Sequence, residues 1–398
     1  MNTKEILELH ELAMQKVSAF AQPRPLMAAI KASQGRHFVG ILGPRGVGKT
    51  VVLQQLASEM PDSLYLSLDT LDRDEDLFAI LKKLYEDYRI AHFFLDEVHY
   101  VPEIDAVLKR LYDALPIRVW FTSSMALALH ASSHDLSRRV ILRSLFPFSF
   151  REYLHFRHAY DVPALQLNDI FDKAWSSRHM RAGMYFDDYL KGGIMPFALE
   201  EPEPLPILRA ILTTVIRKDI PHVARLHLDE LDALEKMMVY IGRSPVDGVN
   251  YSSLAQNLGI TKYKAEQYLA LFEKAFVLIR VFPKGTNVLQ EPKVLMAPPY
   301  RLLYRDYADA IGGLREDFFA EAMRQRDAQF WYLKTKRGTK TPDFVMDKEN
   351  LDRVVIEVGG RGKKSVQFKD FKSEQRYVFS HSDDTDGIRR PLFMLGMT

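Results

Sequence analysis

The segment that most constrains the fold of this chain is the octapeptide from residue 43 to residue 50, Gly-Pro-Arg-Gly-Val-Gly-Lys-Thr. An apolar run, His37 to Leu42, precedes it, and a helix-like stretch, Val51 to Met60, follows it. A glycine-rich loop between a strand and a helix can fold its backbone N–H groups around phosphate. The flanking strand and helix disfavour the alternative, an ordinary glycine-rich turn, so the sequence predicts a phosphate-binding loop.

The residues of this loop have predicted roles in binding a nucleoside triphosphate. Lys49 is expected to neutralise the β- and γ-phosphates, and Thr50 is expected to hold Mg²⁺. The positive end of the following helix adds to the field that attracts the phosphates. The predicted nucleotide-binding residues are Gly43, Pro44, Arg45, Gly46, Val47, Gly48, Lys49 and Thr50.

A second motif lies downstream, where the apolar run Ile90 to Leu95 ends in Asp96 and Glu97. A buried strand of this kind delivers both carboxylates to its carboxyl end. Asp96 is predicted to coordinate Mg²⁺ through water, and Glu97 to act as general base for the attacking water. The alternative, a strand end without catalytic meaning, is disfavoured by the phosphate-binding loop upstream. The pair therefore predicts hydrolysis as well as binding.

Apolar runs alternate with helix-periodic segments from about residue 38 to residue 120, which predicts a parallel sheet with crossover helices. The run Ile117 to Phe121 is followed by Thr122 and then by Ser124. In additional-strand P-loop ATPases a polar residue here senses the γ-phosphate, so both residues are candidate sensors. The alternative is a cap for a helix from Met125 to His130, because Ser and Thr are good caps.

Three arginines, Arg138, Arg139 and Arg143, follow this region. An arginine near the end of a P-loop domain can reach the nucleotide of a neighbouring subunit and stabilise the charge of the transition state. Arg139 is the predicted arginine finger, and a homo-oligomer would then be required. A solvated basic surface is the alternative.

Composition excludes several classes of protein. The chain has 398 residues, which is too long for one core and predicts two to four domains. The absence of cysteine excludes disulfides and thiolate metal sites, and the net charge of +2 gives no global sign of a nucleic-acid or membrane partner. The N-terminus lacks the pattern of a signal peptide and no apolar run is long enough to span a membrane, so a soluble cytoplasmic protein is expected.

The region from Leu231 to Phe282 has the pattern of a winged helix, with three helical segments followed by a strand. Its third helix carries Lys262 and Lys264 but also glutamates, so its face is mixed. Contact with DNA and use as a packing or regulatory unit are both consistent with this pattern.

Three carboxylates mark a second candidate site near the C-terminus. Asp343 and Glu357 are predicted at adjacent strand positions, where they could share a divalent ion with Glu316, the first residue of a predicted amphipathic helix that runs to Met323. The pattern resembles the restriction-endonuclease-like motif Pro-Asp…Glu-x-Lys, but Gly359 stands where that motif has lysine. An active nuclease, with Lys363 or Lys364 as substitute, and a degenerate nuclease fold both remain open.

Four motifs together carry a resemblance to a known family. They are Gly43–Thr50, Phe-Leu-Asp-Glu-Val-His at 94–99, Phe-Thr-Ser-Ser at 121–124 and Leu-Phe-Pro-Phe-Ser-Phe-Arg-Glu-Tyr-Leu at 145–154. The chain resembles the prokaryotic AAA-type (AAA+) ATPases that carry a C-terminal domain of unknown function 4143. The stretches 189–193 and 217–220 also resemble that family, which usually has Gly where this chain has Ser123 and Ala-Gly-Arg at 137–139.

The resemblance implies an α/β P-loop parallel sheet, then a helical lid and the winged helix, then a small α+β restriction-endonuclease-like domain. It also implies ATP in preference to GTP. The expected divisions are 1–153 for the ATPase domain, 154–225 for the lid and linker, 226–285 for the winged helix, and 286–398 for the C-terminal domain.

Two functions follow as hypotheses. The first is Mg²⁺-dependent ATP hydrolysis that drives a conformational change acting on nucleic acid. The alternative is a regulatory ATPase switch whose nuclease-like domain binds a protein partner.

Overall fold

The structure is a computed structural model. It describes residues 2–20, 22–33, 35–72, 75–125, 136–224, 226–285, 291–333, 341–347, 353–362, 365–368 and 375–398. The chain divides into two compact units. The first comprises Met1–Phe146, Thr214–Leu226 and Lys274–Phe276, and the second comprises Pro147–Thr213, His227–Glu273 and Val277–Thr398. The finer division into four domains stays a prediction.

The first unit is built on a parallel sheet. Its strands are β1 (Phe38–Leu42), β2 (Ser63–Ser67), β3 (His92–Asp96), β4 (Arg118–Ser123) and β5 (Val140–Ser144), in the order β2-β3-β4-β1-β5. The central strands are short apolar runs buried on both faces, as parallel sheets require. Strand β4 lies between β1 and β3. This inserted strand confirms the predicted P-loop sheet of the additional-strand type.

Five helices accompany this sheet within the described residues of the segment 1–146. They are α1 (Thr3–Lys16), α2 (Pro25–Lys31), α3 (Lys49–Ser58), α4 (Leu77–Tyr88) and α5 (Ile104–Ala114). Helices α4 and α5 each bury leucines at helical spacing, such as Leu81 and Leu84, or Leu108 and Leu111. These side chains form one core with apolar residues of β1, β2, β3 and β4. The crossover helices therefore bury one face of the sheet and leave the carboxyl ends of its strands for the loops.

A segment distant in sequence completes the first unit. Residues Thr214–Leu226 contain a wide π-helical turn, Val215–Asp219, and a short helix, Ile220–Val223. Val215, Ile216, Asp219 and Ile220 are buried there. The chain on both sides of this segment belongs to the second unit.

The second unit begins with helices. They are α6 (Phe150–His158), α7 (Leu167–Phe171), α8 (Ser177–Ala182), α9 (Phe186–Asp188), α10 (Pro204–Thr214), α11 (Leu228–Arg243), α12 (Tyr251–Leu258), α13 (Lys262–Lys274) and α14 (Tyr307–Gln325). An aromatic cluster holds several of them together, with the ring centroids of Phe150 and Phe186 5.3 Å apart and those of Phe186 and Phe318 4.9 Å apart. Strands β6 (Leu278–Val281) and β7 (Lys293–Met296) pair antiparallel after α13.

A five-stranded sheet of described residues ends the second unit. Its strands are β8 (Phe330–Tyr332), β9 (Phe344–Asp347), β10 (Arg353–Gly360), β11 (Gln375–His381) and β12 (Arg389–Pro391), in the order β12-β11-β10-β9-β8. The neighbouring pairs β8–β9 and β9–β10 are antiparallel, whereas β10, β11 and β12 are parallel. Helix α14 packs on this sheet through Phe319, whose ring stacks on that of Phe344. The region is thus α+β, with a second sheet.

Across the part of the chain that the structure describes, no helix is both long enough and apolar enough to cross a bilayer.

Candidate active site

The predicted phosphate-binding loop lies between β1 and α3. Gly46 and Gly48 have φ angles of 81° and 86°, in the left-handed region that glycine adopts without strain. Gly43 is in close contact with the backbone, because a Cβ there would come within 2.0 Å of the carbonyl oxygen of Leu145. Helix α3 begins at Lys49, so its first-turn N–H groups face the loop. The loop therefore has the backbone geometry of an anion-binding site at a helix N-terminus.

Lys49 is buried at the centre of this loop, with only 4% of its surface exposed. Its ammonium donates hydrogen bonds to the carbonyl oxygens of Gly43 and Pro44, each at 3.0 Å, and lies 4.0 Å from Oε1 of Glu97. Burial lowers the pKa of Lys49, and the charges of Glu97 and Asp96 oppose that shift. The side chain is thus a desolvated cation aimed into the loop, as a phosphate ligand must be.

Asp96 ends β3 and is buried. One carboxylate oxygen accepts hydrogen bonds from the hydroxyls of Thr50, at 2.7 Å, and Tyr65, at 2.9 Å. The other accepts a short hydrogen bond from Thr122. Burial raises the pKa of Asp96, and the neighbouring charge of Glu97 adds to the rise. Thr50 and Asp96, predicted as the Mg²⁺ residues, are therefore brought together.

Glu97 adopts a left-handed backbone conformation, with φ at 54°, that turns its side chain toward the loop. Its Oε2 accepts a hydrogen bond from the backbone N–H of Ser124 at 3.1 Å and lies 3.2 Å from Nδ1 of His99. Burial alone would raise the pKa of Glu97, but the charges of Lys49, His99 and Arg45 outweigh it and lower that pKa well below the usual range. In this arrangement Glu97 is a fixed anion held among three cationic groups.

Both candidate sensor residues reach this site. The Thr122 hydroxyl accepts from the backbone N–H of Glu97 at 2.9 Å while it donates to Asp96. Ser124 contacts Glu97 through its backbone, and its hydroxyl lies 3.4 Å from Nε2 of His99. The alternative helix from Met125 to His130 falls, beyond Met125, outside the described residues.

Sequence reasoning missed a network at the edge of this site. Arg45 donates two hydrogen bonds to the carboxylate of Asp219, at 2.5 Å and 2.8 Å, and a third to the hydroxyl of Tyr100 at 2.7 Å. His99 lies between the two acids, with Nε2 3.9 Å from Asp219 and Nδ1 3.2 Å from Glu97. The only sequence signal was the stretch 217–220, noted for its resemblance and not for any chemistry.

Arg139 lies away from the loop. Its guanidinium forms two hydrogen bonds of 2.9 Å with the carboxylate of Asp113, and its carbonyl accepts from the backbone N–H of Phe38. Phe38 opens β1, whereas the loop follows the other end of that strand, roughly 13 Å further on. Arg139 therefore cannot serve the site of its own subunit, and a role at a neighbouring subunit stays a prediction. Arg143, by contrast, pairs in register with Ile41 near the loop end of β1 and is exposed.

The second predicted metal site has a different arrangement. Glu316 lies on α14, and its Oε2 is 2.6 Å from the ammonium of Lys293, a buried residue of β7 that sequence reasoning missed. Asp343 accepts the backbone N–H of Val358 at 2.8 Å, and Glu357 is buried in β10.

Within the described ranges, no group of three or more His, Asp or Glu side chains could hold a metal ion. Lys293 is the cation that the structure places against Glu316, and a divalent ion shared by Glu316, Asp343 and Glu357 stays a prediction. Lys363 and Lys364, the candidate substitutes at Gly359, lie outside the described residues.

Comparison with known proteins places the first unit in a broad family. Residues 35–154 match the family described as AAA domain, and residues 184–298 match a domain of unknown function, DUF8612. The latter differs from the domain of unknown function 4143 that the sequence resemblance implied, which stays a prediction.

The chain is also similar to individual proteins. It is 31% identical over 372 residues to the uncharacterized protein MJ1637 of Methanocaldococcus jannaschii, covering 83% of this chain and 76% of that protein. It is 22% identical over 340 residues to MJ1544 of the same organism, covering 79% and 73%. A solved structure of the Aeropyrum pernix ORC1 protein in complex with DNA aligns with 77% of this chain and 92% of that one, at 12% identity and a TM-score of 0.33. At that score the alignment supports no conclusion about function.

Proposed function

We propose that this chain, which belongs to the AAA family of P-loop ATPases, hydrolyses ATP with Mg²⁺ at the loop between β1 and α3. The observation that carries the proposal is the convergence of Lys49, Thr50, Asp96 and Glu97, which come from two separate motifs, within hydrogen-bonding or ionic contact of one another. This is the residue set that positions a triphosphate and activates water against it.

Each residue of the site has a separate proposed role. Lys49 and the N–H groups at the start of α3 bind the phosphates, and the Thr50 hydroxyl and the Asp96 carboxylate fit a hard cation with oxygen ligands. Mg²⁺ at these oxygens would neutralise charge on the phosphates. Thr122 fixes Asp96 and the backbone of Glu97 at once.

Glu97 is the proposed general base. With Lys49, His99 and Arg45 all close to it, its pKa is too low for efficient proton abstraction. Phosphate groups that draw Lys49 and Arg45 toward themselves would weaken these contacts and raise the pKa of Glu97. The base therefore becomes stronger when substrate is bound, which limits the activation of water in its absence.

The test is steady-state phosphate release from ATP, with Mg²⁺ and with excess chelator. We expect Glu97→Gln to lower turnover by about 10²–10⁴-fold while nucleotide binding is retained, and Lys49→Ala to lose binding. Glu86→Gln, which removes half of an exposed ion pair on α4, is the matched control and should leave turnover unchanged. Turnover that survives Glu97→Gln would refute the assignment of the base.

We further propose that the conformational change of ATP turnover acts on nucleic acid. Helices α11, α12 and α13 with the β6–β7 hairpin support this proposal, because the order of elements fits the predicted winged helix. Tyr263 on the third helix is 69% exposed beside Lys262, which suits stacking on a base next to a phosphate contact. Binding of single-stranded and duplex DNA, measured at several salt concentrations, tests it, because phosphate contacts make affinity fall steeply with salt.

One observation favours the alternative, a regulatory switch that binds a protein partner. The ammonium of Lys264 lies 3.2 Å from Glu230, and that of Lys262 lies 3.5 Å from Glu291, so internal carboxylates offset both charges. Turnover indifferent to every DNA tested would favour this alternative. The partner would then be sought by comparing proteins retained by the Lys49→Ala and Glu97→Gln variants.

A further inference from the structure

The contacts of Arg45 tie the phosphate-binding loop to a residue 174 positions away. Its guanidinium meets the carboxylate of Asp219 side-on, with two parallel hydrogen bonds, and shares the hydroxyl of Tyr100 with it. Asp219 has no exposed surface. A planar, two-bond contact of this kind is strong and specific for carboxylate or phosphate. In this contact Arg45 therefore uses the same N–H groups that would donate hydrogen bonds to a phosphate group.

Asp219 and Glu97 compete for the same two cations. Arg45 lies 4.0 Å from Glu97 through Nη1 while it is bonded to Asp219, and His99 approaches both acids. These contacts raise the pKa of His99 against the effect of burial, and they lower the pKa of Asp219 to about 2. The four side chains are a balanced cluster of two cations and two anions, and a shift of one cation changes the field at Glu97.

Asp219 lies in a segment whose neighbours in sequence belong mostly to the other unit. It closes the π-helical turn Val215–Asp219, in the segment Thr214–Leu226 that belongs to the first unit although its neighbours in sequence, α10 and α11, lie mostly in the second. Wide turns of this type occur often at functional sites. Tyr100 supports the segment further, because the Lys218 ammonium lies 4.7 Å above its ring and the His222 ring packs edge-on against it.

We propose that Asp219 is a positioning residue of the nucleotide site, because it holds Arg45 until the phosphates of a bound nucleotide take the guanidinium. The loss of this contact then loosens the segment Thr214–Leu226. The inference rests on the proposed ATPase function and adds a regulation to it. A buried carboxylate that loses its guanidinium partner is costly to keep in place. Binding of nucleotide at the loop thereby changes the stability of a segment that is continuous with both flanking helices of the second unit.

The first experiment measures amide hydrogen exchange of the whole chain with and without the non-hydrolysable analogue AMP-PNP and Mg²⁺. In the wild type we expect exchange in residues 214–224 to rise about tenfold on binding, because local opening becomes easier. In Asp219→Asn the exchange is already high and does not rise further. Glu86→Gln should behave as the wild type.

A double-mutant cycle of nucleotide affinity shows whether Asp219 acts through Arg45. Asp219→Asn should tighten AMP-PNP binding by about five- to tenfold, since the competitor for the guanidinium is weakened. In an Arg45→Gln background the same change should alter affinity by less than about twofold. An equal tightening in both backgrounds would mean a general charge effect and would overturn the proposal.

Tyr100→Phe provides a second route should Asp219→Asn fold poorly. It removes the hydroxyl shared by Arg45 and Asp219 but keeps the ring that packs on Lys218 and His222. The same changes in exchange and affinity, in smaller degree, are expected. Binding of AMP-PNP without any rise in exchange at 214–224 overturns this inference alone, whereas a wild type that binds no nucleotide overturns the proposed function with it.

Discussion

The hydroxyl of Thr50 donates a hydrogen bond of 2.7 Å to the carboxylate of Asp96, which stands 46 positions later in the chain. Thr50 is the second residue of helix α3, and Asp96 ends β3, which lies two places from β1 in the sheet. Strand β4 lies between β1 and β3, and Thr122 near its carboxyl end donates a hydrogen bond to the other oxygen of the same carboxylate.

Thr122 is expected to matter for turnover more than for binding. Thr122→Val leaves the backbone N–H of Glu97 without its acceptor and removes one of the three hydroxyl donors to Asp96, at a cost of about 1–3 kcal/mol. We expect kcat to fall about 10- to 100-fold, with nucleotide affinity changed less than about threefold. Thr122→Ser keeps the hydroxyl and should restore most of the turnover, and a Ser variant as slow as the Val variant would contradict the assigned role.

The ionised carboxylate of Asp96 is expected to lower the stability of the ligand-free protein, although it serves the proposed Mg²⁺ site. Its pKa is raised by burial and by Glu97, so its ionised form opposes folding at neutral pH and stability is gained as pH falls through the raised pKa. Asp96→Asn should therefore raise the stability of the ligand-free protein by about 1–2 kcal/mol and abolish the added stability that Mg²⁺ and ATP give. Thermal unfolding with and without MgATP measures both, and a marked loss of stability in the variant would argue against this account.

The pair formed by Arg139 and Asp113 is expected to be structural. Arg139→Ala and Asp113→Asn should then both lower stability slightly and to the same degree, and turnover should stay within about twofold of the wild type. An arginine that reaches a neighbouring subunit would give another pattern, in which Arg139→Ala alone loses turnover at protein concentrations where copies associate. Phosphate release measured over a range of protein concentrations separates the two.

Lys293 is expected to be essential for the stability of the second unit. Its removal in Lys293→Met leaves Glu316 buried without its cation, which should cost about 3–5 kcal/mol. Adding Glu316→Gln to the same chain removes the uncompensated charge and should recover most of the loss. Urea denaturation followed by circular dichroism provides the measurement, and a double variant no more stable than Lys293→Met would show that charge is not the cause.

The stability of the same unit is expected to fall as pH rises through neutrality. Burial raises the pKa of Glu316 to about 7, with Asp343 adding to the rise and Lys293 opposing it. A folded-state pKa above that of the unfolded chain means that protonation favours folding, so stability is greatest near pH 4.5 and declines toward pH 7, by at most about 3 kcal/mol. Denaturation from pH 5 to pH 8 should show this slope in the wild type and a flatter one in Glu316→Gln.

Local patterns in the sequence were enough for the central sheet and the two nucleotide motifs. Apolar runs between turn residues marked β1 and β3 to within two residues, since a strand buried on both faces leaves little choice of residue. Strand β5 was missed because it lies at the edge of the sheet and its residues are only partly buried.

Helix α14 begins at Tyr307, nine residues before Glu316, where the sequence placed its start. Gly312 and Gly313 disfavour a helix by propensity. In the fold Gly313 is required for packing, because a Cβ there would come within 2.8 Å of the Arg301 guanidinium. Tertiary contact thus overrides local preference.

The residues that sequence reasoning missed are joined by contacts between distant positions. Arg45 was assigned to the loop, but nothing local pairs it with Asp219, and Lys293 lies 23 positions before the glutamate that it neutralises. A charged residue in one stretch does not indicate which opposite charge the fold will bring to it. The winged helix, recognised from helical spacing, stays a prediction as a functional unit.

The membership of Thr214–Leu226 in the first unit has a consequence for how this protein could evolve. A gene segment that ends near residue 153 encodes every motif by which an ATPase is recognised, yet it omits Asp219, the acid that completes the charge balance around Arg45. Recombination that exchanged the two parts of the gene at that boundary would join a loop arginine to a foreign partner. The phosphate-binding loop and the segment Thr214–Leu226 are therefore expected to be inherited together, and variation at position 45 should be accompanied by variation at position 219.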